Sequence, residues 1–553
     1  MARLKELRTS FRSSHHRRLH TSLLQHSLTH LPTEGVNMYG EQTDDPDFSL
    51  LRLALQESGD AFRLFGLYLG TRIDLLPIKG CLELSRTLAT ASPTPWADAQ
   101  LFVEDELGIA IDQEFLAVEP MPYETSILSD CYIAMLKTGK NVSLQVLRSE
   151  FRLFPSDQVD ALSMLRDCQH FHHWANSTFQ GVVDDFAREL RSRTNQLETA
   201  ASFEALAADA EADDGSWAPQ TLRTFCKRRV LVLEKRPSTT FSLIYDPHKK
   251  NSEANIPSAR LFDASPEKAA RSLCLSWLRT VLHGRVFPVT FRLDDIGVLE
   301  EGQTAFLGEV FVPCSPESVD NLWRYLLATA ADDPDECCSV LLSMMTNTRT
   351  DNARKSQDHL NLLAAFRQSV TCFMSAPGEP DFCRGMAARV LRQLQIATEL
   401  GYRPKPFLIS FYRGLFSVLS AVRVLQPRGD PLLEGLETIW IKDILGSARK
   451  AMRLDPLIDI GGKHLAAMIE LPGKLDAALS NAVHRNGEAE EDWRTPSKQD
   501  PQYLVSIVIV LVATLLLVRY GPIQFASVWI DRFSFSICCL IGLLVLRLTT
   551  RPW

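Results

Sequence analysis

The chain has 553 residues, 45% of them hydrophobic, which is enough apolar surface for a sizeable core and more than one domain. Its formal net charge of -8 at pH 7 argues against nucleic acid as the main partner, because phosphate binding favours a basic surface. Its 12 cysteines are scattered without paired spacing and no secretory apolar segment opens the chain, so a reducing compartment fits better than a disulfide framework.

In such a compartment the sequons Asn141-Val-Ser143 and Asn176-Ser-Thr178 carry no glycan. The first 31 residues are rich in Arg, His and Ser, with Glu6 as their one acid. They read as a basic disordered tail, extending to about residue 45, or as an organellar targeting segment; a start at Met38 would remove most of it.

Residues 50 to 115 carry helical patterning broken at Pro77 and at Pro93 to Pro95. Residues 130 to 150 read as a hairpin around Lys137-Thr-Gly-Lys140. Its second arm alternates Val142, Leu144 and Val146 with Ser143, Gln145 and Leu147, the period of a half-buried strand. Helix dominates from about 155 to 206, and the acidic run Ala207 to Gly215 reads as a solvated loop. Two more strands are predicted, RRVLVLEK at Arg228 to Lys235 and TAFLGEVFV at Thr304 to Val312. From 317 to 483 the pattern is again helical, with Ile409, Leu415, Leu419 and Val422 on one face.

Cys168, His170, His172 and His173 offer metal-binding side chains, but their spacing fans them around a helix instead of stacking them at i and i+4. Asp332, Asp333, Asp335 and Glu336 before Cys337-Cys338 read as a helix start. No phosphate-cradling G-x-x-x-x-G-K-[ST] loop is present.

Tyr503 to Val518 is free of charge, and its 16 residues would reach about 24 Å as a helix. Gly521-Pro522 breaks it, and a second apolar run, Phe533 to Leu546, ends at Arg547. Two such runs predict a transmembrane helical hairpin, since backbone groups in lipid must bond internally. Arg494, Lys498, Arg547 and Arg551 at its outer ends favour a cytoplasmic body, while Arg519 and Arg532 in the turn oppose that sidedness. The alternative is a buried hairpin of a soluble domain.

The order of several motifs resembles the UbiB atypical kinase-like (ABC1) family. RLALQESGDAFRLFGLYLGTRIDLLP at Arg52 to Pro77 is similar to its opening signature, followed by Pro95-Trp96, EDELG at Glu104 to Gly108 and Glu119-Pro120. Then come the Gln145 strand, FARELRSRTNQ at Phe186 to Gln196, the hinge-like RRVLVLE, EGQTAFLGEV at Glu301 to Val310 and the helix Tyr402 to Pro427. The resemblance implies a helix-rich α+β fold, two-lobed and kinase-like, with a C-terminal membrane hairpin. Its segments are an N-terminal lobe with a helical extension (46–235), a helical C-terminal lobe (236–483), a linker (484–502) and the anchor (503–548).

The same resemblance implies that the catalytic positions have been replaced. The family's K-x-G-Q falls on Leu64, Phe65, Gly66 and Leu67, and its alanine-rich loop on Glu124, Thr125 and Ser126. The strand lysine becomes Gln145, and its glutamate partner falls near Asn195. In the catalytic loop, on Pro288 to Asp295, the aspartate becomes Thr290 and the metal-binding asparagine Asp295. The metal-binding aspartate of the D-F-G motif becomes Gly308. Phosphoryl transfer depends on a lysine on the phosphates and on oxygen ligands for Mg²⁺, so losing them together points to a pseudokinase. Lys140, Asp295 and Glu309 are the residues that could rebuild a nucleotide site instead.

Three readings follow from the resemblance: a pseudokinase serving isoprenoid quinone or related lipid biosynthesis, a diverged ATPase or kinase using ATP and Mg²⁺, and a ligand-free scaffold. The implied partners are membrane lipids, polyprenyl or quinone intermediates and membrane-associated biosynthetic enzymes. The implied location is the cytoplasmic face of an inner membrane, or the mitochondrial inner membrane in a eukaryote.

Overall fold

The computed structural model describes residues 48–89, 91–153, 176–211, 216–236, 238–245, 266–299, 303–308, 310–347, 360–367, 385–425, 427 and 429–452. The basic tail, the segment carrying Cys168 to His173, the linker and the predicted membrane hairpin lie outside these residues. The chain divides into two compact units, Met1–Glu437 and Thr438–Trp553. Of the second, only the end of the helix Pro431–Met452 is described.

Three helices open the first unit: α1 (Phe48–Ser58), α2 (Asp60–Leu69) and α3 (Ile78–Leu84). Leu51, Leu55, Phe62, Phe65 and Leu69 recur at helical spacing, so α1 and α2 each present an apolar face. These faces close over Val182, Phe186 and Leu190 of α5 (Asn176–Arg193) in one buried cluster. Trp96 and Val103 of α4 (Trp96–Leu107) pack on the apolar face of the N-terminal sheet. That sheet runs β1-β3-β4-β6, with β2 also pairing β3. Its strands are β1 (Phe115–Val118), β2 (Glu124–Thr125), β3 (Ser129–Leu136), β4 (Asn141–Leu147) and β6 (Val230–Glu234).

The hairpin turn between β3 and β4 holds Gly139 at φ +83°, a left-handed conformation that glycine adopts without a Cβ penalty. β4 departs from the half-buried expectation. Every residue from Val142 to Leu147 is buried, because the Ser143 and Gln145 side is covered by the second half of the unit. The predicted acidic loop also differs: α6 (Gln196–Ala210) runs through Ala207 to Ala210 before the chain leaves the described residues.

TAFLGEVFV forms two strands, not one. β10 (Thr304–Phe306) pairs antiparallel with β9 (Ile296–Leu299), whereas β11 (Val310–Pro313) pairs with β8 (Val286–Thr290). The chain changes sheet at Leu307-Gly308. β5 (Ser216–Trp217) and β7 (Ser238–Thr240) complete the β5-β10-β9-β7 sheet.

Below these sheets lie α7 (Pro266–Leu282), α8 (Pro316–Ala330), α9 (Pro334–Ser343), α10 (Met386–Glu399) and α11 (Pro406–Leu425). Asp333 caps α9, accepting from the backbone N–H of Asp335 and Glu336 at 3.1 Å each, so this acidic run is the predicted helix start. Among the described residues α11 alone is long and apolar enough to cross a membrane, and it is largely buried inside the protein. It crosses α7 at Gly414, where a Cβ would stand 2.8 Å from the Trp277 ring and 3.1 Å from the Pro288 carbonyl.

Candidate functional site

A cavity of about 420 Å³ lies between the N-terminal sheet with its helical extension and the β8–β11 region. α2 supplies Leu64, Leu67 and Tyr68, and the β3–β4 surface supplies Ser129, Cys131, Ser143 and Gln145. α5 supplies Glu189 and Arg193, and the far wall carries Thr290, Asp295, Gly308 and Phe416. Eight positions singled out in the sequence, Leu64, Leu67, Glu124, Ser126, Gln145, Thr290, Asp295 and Gly308, therefore border one cleft.

On β4, Gln145 stands opposite Cys131 of β3 and Leu231 of β6. It is 5% exposed, and its Nε2 donates to Ser129 Oγ at 3.0 Å. A neutral amide holds this place, with its donor already engaged. Across the cleft, a Cβ built on Gly308 would lie 3.4 Å from Asp295 Cβ and 3.6 Å from the Thr290 carbonyl. These three positions thus adjoin one another, with a single carboxylate among them. That carboxylate accepts from Arg292 N–H at 2.8 Å, closing a tight turn. Ser242 donates to the neighbouring Asp294.

Thr290 is bound by a cation from the protein itself. Arg413 of α11, 6% exposed, donates from Nη2 to Thr290 Oγ1 at 2.9 Å and from Nε to Thr71 Oγ1 at 3.0 Å. Its Nη1 lies 2.7 Å from Glu189 Oε2, and its guanidinium sits 4.5 Å above the Tyr68 ring. A second buried guanidinium, Arg72, also lies over that ring and donates to the Tyr68 hydroxyl. Arg72 grips Asp74 in a bidentate pair at 2.8 and 2.7 Å. Burial pushes the Tyr68 phenol up to about 12 against the pull of both arginines, so it stays neutral while its oxygen accepts from Arg72.

The remaining candidates stand elsewhere. Lys140 is exposed at the β3–β4 turn and pairs with Glu234 at 3.4 Å, so it does not border the cleft. A charge next to a turn has reached solvent and the half-buried carboxylate at the end of β6. Gly66 lies inside α2 against Leu55, 3.4 Å from where its Cβ would be. Asn195 sits at the α5–α6 junction and donates to Glu198 at 2.7 Å; the carboxylate that faces the cleft from α5 is Glu189, six residues earlier. Glu309 lies outside the described residues. No group of three His, Cys, Asp or Glu among the described residues could hold a metal ion.

Sequence reasoning missed Glu189, Arg413 and Lys235. Arg413 carried a readable signal: a lone arginine within the apolar run FLISFYRGLFSVL has to find a buried partner.

Residues 87–269 match the model of the ABC1 atypical kinase-like domain. A protein described as "Probable protein kinase UbiB" from Pseudomonas aeruginosa (strain LESB58) is 30% identical over 187 residues, covering 34% of this chain and 35% of that one. A protein of the same description from Azotobacter vinelandii is 26% identical over 202 residues, covering 35% and 36%. The aligned part thus spans about a third of these relatives' length. A solved structure, the complex of Rv3197 with erythromycin from Mycobacterium tuberculosis, is similar at TM-score 0.37 and 10% identity over 60% of this chain and 83% of that one.

Proposed function

This chain belongs to the UbiB/ABC1 atypical kinase-like family, and from that premise we propose that it is a membrane-anchored pseudokinase whose cleft holds an isoprenoid lipid instead of a nucleotide. The observation that carries this reading is the Arg413–Thr290 contact at 2.9 Å. A guanidinium, already paired with Glu189, holds Thr290, the residue at the position that the resemblance gives to the family's catalytic aspartate. Gln145 and Gly308 supply neither the phosphate-balancing cation nor the metal-binding carboxylate. Leu64 and Leu67, in place of lysine and glutamine, turn that wall apolar, which suits a prenyl chain better than a triphosphate.

The name of the relatives supports a place in ubiquinone or related quinone biosynthesis, with the protein ordering partner enzymes or presenting a lipid intermediate to them. The apolar runs at 503–518 and 533–546 support tethering of the body at the cytoplasmic or matrix face of a membrane.

The test is a thermal-shift series on the full chain in nanodiscs. A polyprenyl phenol should raise the unfolding temperature, whereas ATP with Mg²⁺ should leave it unchanged; the reverse pattern would overturn the reading. Asp295 beside Gly308 favours one competitor, a diverged ATPase. That alternative requires Mg²⁺-dependent ATP hydrolysis that disappears in Asp295→Ala.

A further inference from the structure

The cleft lacks a lysine on β4, yet another ammonium borders it. Lys235 follows directly on β6 and lines the same cavity. Its Nζ stands 4.0 Å from the centroid of the Tyr123 ring, and the Tyr123 hydroxyl is fixed by Ser143 at 2.9 Å. Lys235 makes no ion pair among the described residues. The adjacent carboxylate, Glu234, is shared by Lys140 at 3.4 Å and Arg236 at 3.5 Å. Burial pulls the Lys235 ammonium below its usual pKa, and the fields of Glu124 and Cys131 only partly oppose this.

A ring face takes up part of an ammonium's charge but satisfies none of its three N–H donors in the way an oxyanion does. A half-buried cation facing a cavity on these terms is incompletely compensated, and an anion entering the cavity would complete it. Leu64, Leu67, Ile127, Phe291, Leu307 and Phe416 form an apolar strip of the cavity, beside the carboxylates of Glu124, Glu189, Glu234, Asp294 and Asp295.

We propose that the cleft's ligand is an amphiphile with an oxyanion head, a carboxylate or a phosphate, seated on Lys235 with its apolar chain along Leu64, Leu67 and Phe416. This rests on the reading of the cleft as a lipid site and adds the chemistry of the head group and its anchor. Ser143 and Tyr123 place hydroxyls beside the head, and Arg236, stacked on Trp217 at 5.4 Å, lines the same cavity.

Five probes are titrated against the full chain in nanodiscs: farnesoic acid, farnesyl phosphate, farnesol, inorganic phosphate and Mg²⁺-ATP. The two anionic amphiphiles should bind about tenfold or more tightly than farnesol, the difference expected of a hydrogen bond to a charged group. Lys235→Gln should bring the acid down to the level of the alcohol and leave the alcohol unchanged, and Lys235→Arg should restore the preference. Equal binding of acid and alcohol by the native chain, or an acid preference that survives Lys235→Gln, overturns the proposal. Inorganic phosphate binding as tightly as farnesyl phosphate overturns the amphiphile and leaves a simple anion site. Binding of Mg²⁺-ATP with none of the farnesyl probes instead defeats the lipid reading itself, as does a lack of binding by every probe.

Discussion

Arg413 Nη2 donates to Thr290 Oγ1 across 2.9 Å, joining the long helix α11 to the end of β8 at the far wall of the cleft. The same side chain reaches Thr71 beyond α2 and Glu189 on α5, so one guanidinium ties the helical extension, α5 and the β8 wall together. Both members of its ion pair are almost buried, at 7% and 12% side-chain exposure. Removing one partner strands the other charge in a poorly solvated place. Arg413→Met is expected to lower stability by about 3–5 kcal/mol, read from urea unfolding. The double variant Arg413→Met with Glu189→Gln should cost clearly less than the sum of the single ones, because neither charge is left alone. Additive losses would show that the pair contributes little as a unit.

Arg72 and Asp74 give a pH dependence with a defined sign. Burial alone would raise the Asp74 carboxyl, but the charge and hydrogen bonds of Arg72 outweigh it and hold Asp74 below the ordinary carboxylate range. A depressed acid contributes stability above its unfolded value, about 3.9, and loses it as pH falls through the folded value. Asp74→Asn should therefore destabilise the protein by a near-constant amount from pH 7 to about 5, with the gap closing below about pH 4. Asp185 has the opposite sign: burial raises it, against the pull of Arg72 and Arg188. Its ionised form opposes folding at neutral pH, so Asp185→Asn should be neutral or stabilising there. Chemical denaturation across this pH range checks both.

Local rules made part of the fold readable. The β3–β4 hairpin follows from apolar alternation and a turn glycine, and the α9 start from Asp333 with Pro334, all within a few residues of one another. TAFLGEVFV reads as one strand because β-forming apolar residues stand on both sides of Gly308-Glu309, and only pairing to β9 and β8 divides it there. The cleft positions Gln145, Thr290 and Gly308 came through the order of motifs, not through their chemistry. Arg413 and Glu189 stayed hidden because their partnership is tertiary: Arg413 bonds Thr71 across 342 positions of chain. Lys235 was hidden in the same way, as one charge at a strand end among several, distinguishable from Lys140 only by which side of the sheet it faces.

The crossing of α11 and α7 depends on the absence of a side chain at Gly414. Its missing Cβ would approach Trp277 Cζ2 to 2.8 Å and the Pro288 carbonyl to 3.1 Å. Trp277 is fully buried and its Nε1 donates to that same carbonyl at 3.0 Å, so neither neighbour can yield cheaply. Gly414→Ala should cost about 1–3 kcal/mol through overpacking, despite alanine's better helix propensity. Because Thr290 ends the strand that carries Pro288, the same variant should also loosen the cleft wall and weaken ligand binding. A stabilised Gly414→Ala protein would mean that the two helices separate freely, contrary to this packing.

Metal binding at the far wall can be tested by adding a charge. A Cβ at Gly308 would meet Asp295 Cβ at 3.4 Å, ordinary van der Waals contact, so aspartate fits there without displacing backbone. Two carboxylates side by side repel when both are ionised, and a divalent cation relieves that repulsion by taking oxygens from each. Gly308→Asp should lose stability in metal-free buffer and regain it with millimolar Mg²⁺ or Mn²⁺, while the native protein shows no such response. Nucleotide turnover should not follow, because Gln145 and Thr290 still leave the phosphates without their cation and the reaction without its aspartate. A metal-dependent shift of equal size in the native chain would place a working cation site at Asp295, and the diverged-ATPase reading would then displace the pseudokinase one.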